Sequence, residues 1–172
     1  MDTFEEVLPK LIKISLFESF SERTEENLRI MRGVYDSLTV QNFKAGDVII
    51  KEGDYGDLFY ILYAGSVQVL RNTPAGDVMA LANLNAEQNI FFGETALISG
   101  DTRSATVKAT TDCTTVVLSS KKFLALCDKE PLLGYKVSLC LARRMAATLR
   151  TTNSDKAVLY AALFSEIEEG GY

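Results

Sequence analysis

The chain contains no histidine. That absence removes the Ser-His-Asp triad, the histidine-ligated zinc site and the two-histidine, one-carboxylate iron centre. The dioxygenases and sugar isomerases built on jelly-roll scaffolds, which hold a metal with several histidines, are excluded on the same ground. Cysteine is scarce: Cys113, Cys127 and Cys140 are odd in number and lack metal-type spacing, so they read as free, buried thiols in a reducing, cytoplasmic compartment. A basic surplus is missing as well. The net charge is -5, whereas a general grip on nucleic acid needs a basic surface that releases counterions. No DNA partner is expected, and any anion site must be local. Long apolar runs are also lacking. The most continuous one near the end, Ala157 to Phe164, is far short of the roughly 20 residues that cross a bilayer. The start, MDTFEEVLPKLIKISLF, is too acidic for a signal peptide and reads as an amphipathic helix. No membrane anchor is expected.

What is present describes one folded domain with helical extensions: 172 residues, 47% hydrophobic and 24% charged, in the ordinary globular range. Three zones follow one another. In residues 1–37 the apolar positions recur at helical spacing (Leu8, Leu11, Ile12; Leu28, Met31, Val34), with Ser19 and Glu22 spaced as a capping box. Residues 38–152 open with short β-rich segments, LTVQNF, DVIIKE, LFYILYA, SVQVL, VMALANL, SATVKA and TTVVLS, punctuated by Gly-Asp corners at Gly46, Gly53, Gly56 and Gly100. Many short strands with such corners predict an all-β roll. Ser119 or Ser120 then caps a short helix through Cys127, and Pro131 opens a longer one through Arg150 or beyond. Its residues Leu133, Val137, Leu141, Met145, Thr148 and Leu149 form an apolar stripe that must bury against something. Residues 153–172 predict a separate helical tail, Asp155 to Glu168. The fold class expected is α+β: a jelly-roll-like β-roll with N-terminal helices, a short phosphate-binding helix and a long C-terminal helix.

One segment carries chemistry. In Phe92-Gly93-Glu94-Thr95-Ala96-Leu97 a glycine and a carboxylate open a brief helix, and Arg103-Ser104-Ala105-Thr106-Val107 follows. Free N–H groups in the first turn of a short helix cradle an anion. An arginine beside them adds a fixed charge with a planar fork that matches phosphate oxygens. A carboxylate next to a phosphate is repulsive unless it has another task, and an ionised Glu94 accepts from a sugar hydroxyl. A phosphate ester of ribose meets both demands. A Glu and an Arg nine residues apart also describe an ordinary surface ion pair, which contributes only about 0–1 kcal/mol.

The run FFGETALISGDTRSATV closely resembles the phosphate-binding cassette of the cyclic-nucleotide-binding domain family, and FKAGDVIIKEGDYGDLFYILYAGSVQV is similar to that family's early strands. The resemblance extends over roughly residues 38–149. It implies that Glu94 binds the ribose 2'-OH, that Arg103 pairs with the cyclic phosphate, and that Gly93, Thr95, Ala96, Ser104 and Ala105 line the same pocket. Thr95 departs from the bulky apolar residue common in the family. The stretch LCLARRMAATLR looks like the long helix of catabolite-activator-type regulators, where it pairs two subunits and a polar residue reaches the base. That likeness places Thr148 at the base and Arg144 near the pocket.

The implied activity is non-catalytic sensing of a cyclic nucleoside monophosphate, cAMP preferred over cGMP, in a homodimer that relays binding through the C-terminal helix to a downstream partner. No cofactor beyond that ligand is expected. The alternative is a nucleotide-free dimerisation or docking scaffold of the same fold. A transcription factor fits less well, because the residues after the long helix supply neither the length nor the basic charge of a helix-turn-helix, an objection that disappears if the chain is a fragment.

Overall fold

The computed structural model describes residues 2–97 and 102–169, with the backbone alone for 166–169. Helix α1 (Phe4–Leu11) starts where the Thr3 backbone N–H and hydroxyl both donate to a Glu6 carboxylate oxygen at 2.8 Å. Helix α2 (Glu25–Ser37) starts at Thr24, whose hydroxyl oxygen accepts from the Asn27 N–H at 3.1 Å. The capping box expected at Ser19 and Glu22 is not used. Ser19 lies in a single 3-10 turn, Glu18–Phe20, and Thr24 takes the role because Glu25 and Glu26 follow it in the first turn, where negative charge complements the helix dipole.

Among the described residues eight antiparallel strands form the roll: β1 (Thr39–Phe43), β2 (Val48–Ile50), β3 (Leu58–Ala64), β4 (Ser66–Asn72), β5 (Val78–Asn85), β6 (Phe91–Phe92), β7 (Thr106–Ala109) and β8 (Cys113–Ser119). They make two four-stranded sheets of order β1-β8-β3-β6 and β2-β7-β4-β5. The seven β-rich segments read in the sequence are all strands; β6, two residues long, has too little pattern to read. At the β3–β4 corner Gly65 sits at φ +90°, and a Cβ there would lie 2.4 Å from the Asp112 carbonyl oxygen, so the turn admits only glycine.

Successive residues of a strand point to opposite faces, and β3 is buried on both. Phe59 and Ile61 join Phe17, Phe123, Leu133, Val137 and Leu141 in a core between the first sheet and the helices. Tyr60 and Leu62 join Ile49, Ile50, Val67, Phe92, Val107 and Val117 in a second core between the sheets. The roll is therefore clamped from outside by helices and filled from inside by its own side chains.

After β8 the Ser119 hydroxyl accepts from the Lys122 N–H at 3.3 Å and starts α3 (Ser120–Lys129). Pro131 opens α4 (Pro131–Glu169), 39 residues in one piece. The separate tail helix expected from Asp155 is thus a continuation of α4. Asn153, Ser154 and Asp155 favour caps when a helix must start, but neither glycine nor proline follows Gly134 within α4, so nothing stops the one already running. Leu133, Val137 and Leu141 are buried against the roll; beyond them α4 projects with its side chains exposed through Ser165. Among the described residues no helix is long and apolar enough to cross a membrane, and no cluster of His, Cys, Asp or Glu could hold a metal ion. The three cysteines are free, Cys113 fully buried and Cys127 and Cys140 partly so. The corner expected at Gly100 and Asp101 lies outside the described residues.

Candidate functional site

Arg103 enters from the loop before β7, and its backbone is fixed to the corner between β2 and β3. The Arg103 N–H donates to the Asp54 carbonyl at 2.9 Å, and the Arg103 carbonyl accepts from the Gly53 N–H at 2.9 Å. The side chain is 7% exposed. Its Nη2 donates to the Leu58 carbonyl at 2.7 Å and its Nη1 to the Gly93 carbonyl at 3.3 Å. Two glycines make room for it. A Cβ on Gly56 would stand 2.6 Å from Arg103 Nε and Nη2, and one on Gly93, at φ +74°, would stand 2.8 Å from Nη1. Burial pulls the guanidinium pKa downward, opposed by the nearby Tyr60, Asp57 and Glu94. Among the described residues no carboxylate reaches ion-pair distance of Arg103. A buried cation held by two carbonyl dipoles retains unmet demand for an anion.

That cation borders a cavity of about 170 Å³ lined by Gly93, Glu94, Thr95, Arg103, Ser104 and Ala105, with Ile50, Val69, Phe92 and Val107 as its apolar floor. Six of the expected site residues are thereby brought together. The short helix is a 3-10 turn, Glu94–Leu97. Ala96 is buried, its N–H donates to the Gly93 carbonyl at 3.1 Å, and it lines neither this cavity nor the next.

The second cavity, about 510 Å³, opens between the 3-10 turn and α4, and its walls are Glu94, Thr95, Leu141, Arg144, Met145, Ala146, Thr148, Leu149 and Thr152. It is mostly apolar, with hydroxyls from Thr95, Thr148 and Thr152 and charged groups from Glu94 and Arg144. Both cavities share Glu94 and Thr95. The smaller one alone is below the roughly 300–1,000 Å³ typical of ligand sites; joined at Glu94, the two fall within it. Arg144, on α4, places Nε 3.7 Å from Glu94 Oε1 and lays its guanidinium over the Phe91 ring at 4.5 Å. The four-residue steps from Leu133 to Leu141 seat α4 on the roll, and that seating brings Arg144 and Thr148 to the cassette.

Sequence reasoning missed Phe91, the aromatic platform under Arg144, and the apolar floor of the small cavity. Met145 and Leu149 were read only as stripe residues, although successive turns of that stripe wall the larger cavity. A cleft of about 770 Å³ lies elsewhere, between α1 and the β3–β4 corner. It carries Lys10, Lys13, Glu6 and Glu87, charges of both signs, and Lys10 is already engaged by the Tyr63 carbonyl and ring.

Comparison with known proteins adds independent findings. The sequence model described as the cyclic nucleotide-binding domain matches residues 40–130. A cGMP-dependent protein kinase of Plasmodium berghei is 34% identical over 105 residues, 60% of this chain and 11% of that protein. A cAMP-dependent protein kinase regulatory subunit of Dictyostelium discoideum is 34% identical over 121 residues, 67% of this chain and 37% of that protein. The chain thus spans well under two thirds of the length of either relative. Among solved structures, a cyclic nucleotide-binding domain from Methylobacillus flagellatus superposes with a TM-score of 0.70 at 25% identity, covering 88% of this chain and 81% of the other.

Proposed function

The chain belongs to the cyclic nucleotide-binding domain family, and on that premise we propose that it is a non-catalytic sensor of a cyclic nucleoside monophosphate, cAMP preferred over cGMP, working as a homodimer paired through α4. The observation that carries the reading is Arg103, a buried cation beside a small cavity and without a carboxylate at ion-pair distance among the described residues. A cyclic phosphate in that cavity supplies the missing charge. The ribose then lies at Glu94, shared by both cavities, with its 2'-OH donating to the carboxylate. The base extends into the larger cavity toward Thr148.

Polarity supports adenine over guanine. The larger cavity is mainly apolar, with few hydroxyls, and a guanine edge would bring more donors and acceptors there than the walls can pair. Each buried group left unpaired costs about 1–3 kcal/mol. The relay follows from Arg144. Its pair with Glu94 is half exposed on the arginine side, 48% against 27% for Glu94, and pairs of that kind contribute only about 0–1 kcal/mol. A 2'-OH therefore displaces Arg144 from Glu94 at small cost and changes what holds α4 to the cassette. Such a ligand shifts α4 only by the difference in its affinity for the two arrangements.

Isothermal titration with cAMP and then cGMP at fixed salt tests the assignment. Saturable binding at micromolar or tighter affinity, cAMP ahead of cGMP, is the expected result. Silence with both nucleotides at millimolar concentration overturns the sensor and leaves a nucleotide-free scaffold. The reverse order of affinity overturns only the base preference.

A further inference from the structure

We infer that Glu52 is a positioning residue for the phosphate cavity: its carboxylate takes the place of Ser104 as the partner of Asn72 and so ends the β4–β7 ladder early. Ser104 and Ala105 are thereby left to face the ligand. The inference rests on the proposed cyclic-phosphate site, and Glu52 itself lines neither of that site's cavities.

Strand register shows where the ladder would otherwise go. β4 and β7 pair antiparallel, Val67 with Ala109, Gln68 with Lys108, Val69 with Val107 and Leu70 with Thr106. Continued further, the same register sets Arg71 against Ala105 and Asn72 against Ser104. Along an antiparallel ladder, partners that exchange hydrogen bonds alternate with partners that do not. The Thr110 N–H donates to the Ser66 carbonyl at 2.9 Å, which puts Ser66, Gln68, Leu70 and Asn72 in the bonding phase toward β7. The next residue agrees, since the Thr73 N–H turns the other way and donates to the Asp77 carbonyl, just before β5, at 2.8 Å. The Asn72 N–H therefore points to the place where a Ser104 carbonyl would continue the ladder.

Glu52 occupies that place. The Asn72 N–H donates to Glu52 Oε2 at 2.8 Å, and the Asn72 side-chain amide donates to the same oxygen at 3.0 Å. A carboxylate only accepts, and hydrogen bonds to an ionised oxygen are stronger than those to a carbonyl, so Glu52 holds this donor against Ser104.

The backbone of Glu52 is fastened to the segment that its side chain displaces. Its N–H donates to the Thr106 hydroxyl at 3.0 Å. The Gly53 N–H donates to the Arg103 carbonyl and the Arg103 N–H to the Asp54 carbonyl, both at 2.9 Å. Residues 52–54 thus form a brace, tied along one side to Arg103 and Thr106 and reaching on the other to the end of β4. Bulges re-aim side chains, and β2 has a register break between Val48 and Ile50, just ahead of the brace. Arg103, Ser104 and Ala105 line the small cavity, and β7 starts only at Thr106. Among the described residues neither the Ser104 nor the Ala105 N–H has a backbone partner, so both are available to phosphate oxygens.

The first test needs no nucleotide. Amide hydrogen exchange is followed residue by residue in NMR spectra of the full chain, of Glu52→Ala and of Glu52→Gln. In Glu52→Ala the ladder is expected to extend, and the Ser104 N–H to exchange roughly tenfold more slowly as it joins a protected strand. Glu52→Gln, whose amide oxygen still accepts from Asn72, should stay close to the unmodified chain. Equal Ser104 exchange in all three proteins overturns the inference.

The second test reads ligand geometry. The Sp and Rp phosphorothioate analogues of cAMP differ only in which exocyclic oxygen is replaced by sulfur, so the ratio of their dissociation constants reports where the phosphate wall stands. Glu52→Ala is expected to weaken cAMP about tenfold, the lower end of what a hydrogen bond to a charged group contributes, and to bring that ratio toward one. Glu52→Gln should restore both. A fall in Tm with affinity and ratio unchanged gives Glu52 a structural role alone and overturns the inference. If the unmodified chain binds no cyclic nucleotide, the sensor assignment fails, and exchange at Ser104 still decides whether Glu52 ends the ladder.

Discussion

Arg103 is the side chain on which the binding assignment turns. Arg103→Ala is expected to weaken cAMP by about 2–5 kcal/mol, the cost of leaving a buried charge without its partner, and titration calorimetry reads it directly; unchanged affinity removes the phosphate from this cavity. Glu94→Gln exchanges an acceptor-only group for an amide. It is expected to reduce the advantage of cAMP over its 2'-deoxy analogue, and equal affinity of the unmodified protein for both would take the ribose away from Glu94. A third residue far from the site gives a pH signature. The Tyr63 hydroxyl donates to an Asp2 carboxylate oxygen at 2.5 Å, and that hydrogen bond, reinforced by partial burial, raises its pKa to about 12. Because the folded value lies above the unfolded one of about 10, the contribution is complete below pH 10 and disappears as pH rises toward 12. Burial raises the Tyr60 phenol as well, but of the late-titrating phenols only that of Tyr63 should return toward the ordinary value in tyrosinate absorbance when Asp2→Asn is made. At this scale the sequence was readable where chemistry was unusual. Glu94 and Arg103 stand out because a charge in a β-rich core needs a reason. Phe91 did not stand out, because one more aromatic residue in an apolar run carries no sign of what rests on it.

Among the elements, α4 divides into two parts with different energetic roles. Leu133→Ala, at a fully buried position, is expected to cost about 2–5 kcal/mol, whereas Leu159→Ala, 63% exposed, should stay within about 0.5 kcal/mol; denaturant melts of the two variants make the comparison. Equal losses would mean that the projecting half is seated on the body. Strand positions were legible from alternation and from the Gly-Asp corners, since β-rich runs of five to seven residues leave few other assignments. The unity of α4 was harder to see. Asn153, Ser154 and Asp155 form a good helix start in isolation, and local preference is read before the momentum of a helix already formed. The cap of α2 was misplaced for a related reason: Ser19 and Glu22 have the right spacing, but Thr24 has the acidic first turn.

For the molecule as a whole, a ligand that binds the folded chain and not the unfolded one must raise its stability. At a concentration of cAMP one hundred times its dissociation constant the gain is about 2.7 kcal/mol, which for a chain of this size corresponds to a rise in Tm of roughly 5–10 °C. Differential scanning calorimetry with and without cAMP measures it, and an unmoved Tm under those conditions would contradict binding to the native fold. The same experiment on Arg103→Ala should show the ligand-dependent rise vanish while the roll still melts cooperatively.

The double burial of β3 has one more consequence. Phe59, Tyr60, Ile61 and Leu62 are each at most 6% exposed, and alternate members of the run belong to the helix-facing core and to the roll interior. A change at any one of them must be absorbed by one core without help from the other, since the strand between them is a shared wall. Over evolutionary time this tetrad should drift slowest in the chain, and compensating changes should appear in pairs on the same side of the wall: Phe59 or Ile61 with helical residues, Tyr60 or Leu62 with the opposite sheet. By contrast β5, six of whose eight residues are exposed, has no such accounting to satisfy and is free to diverge.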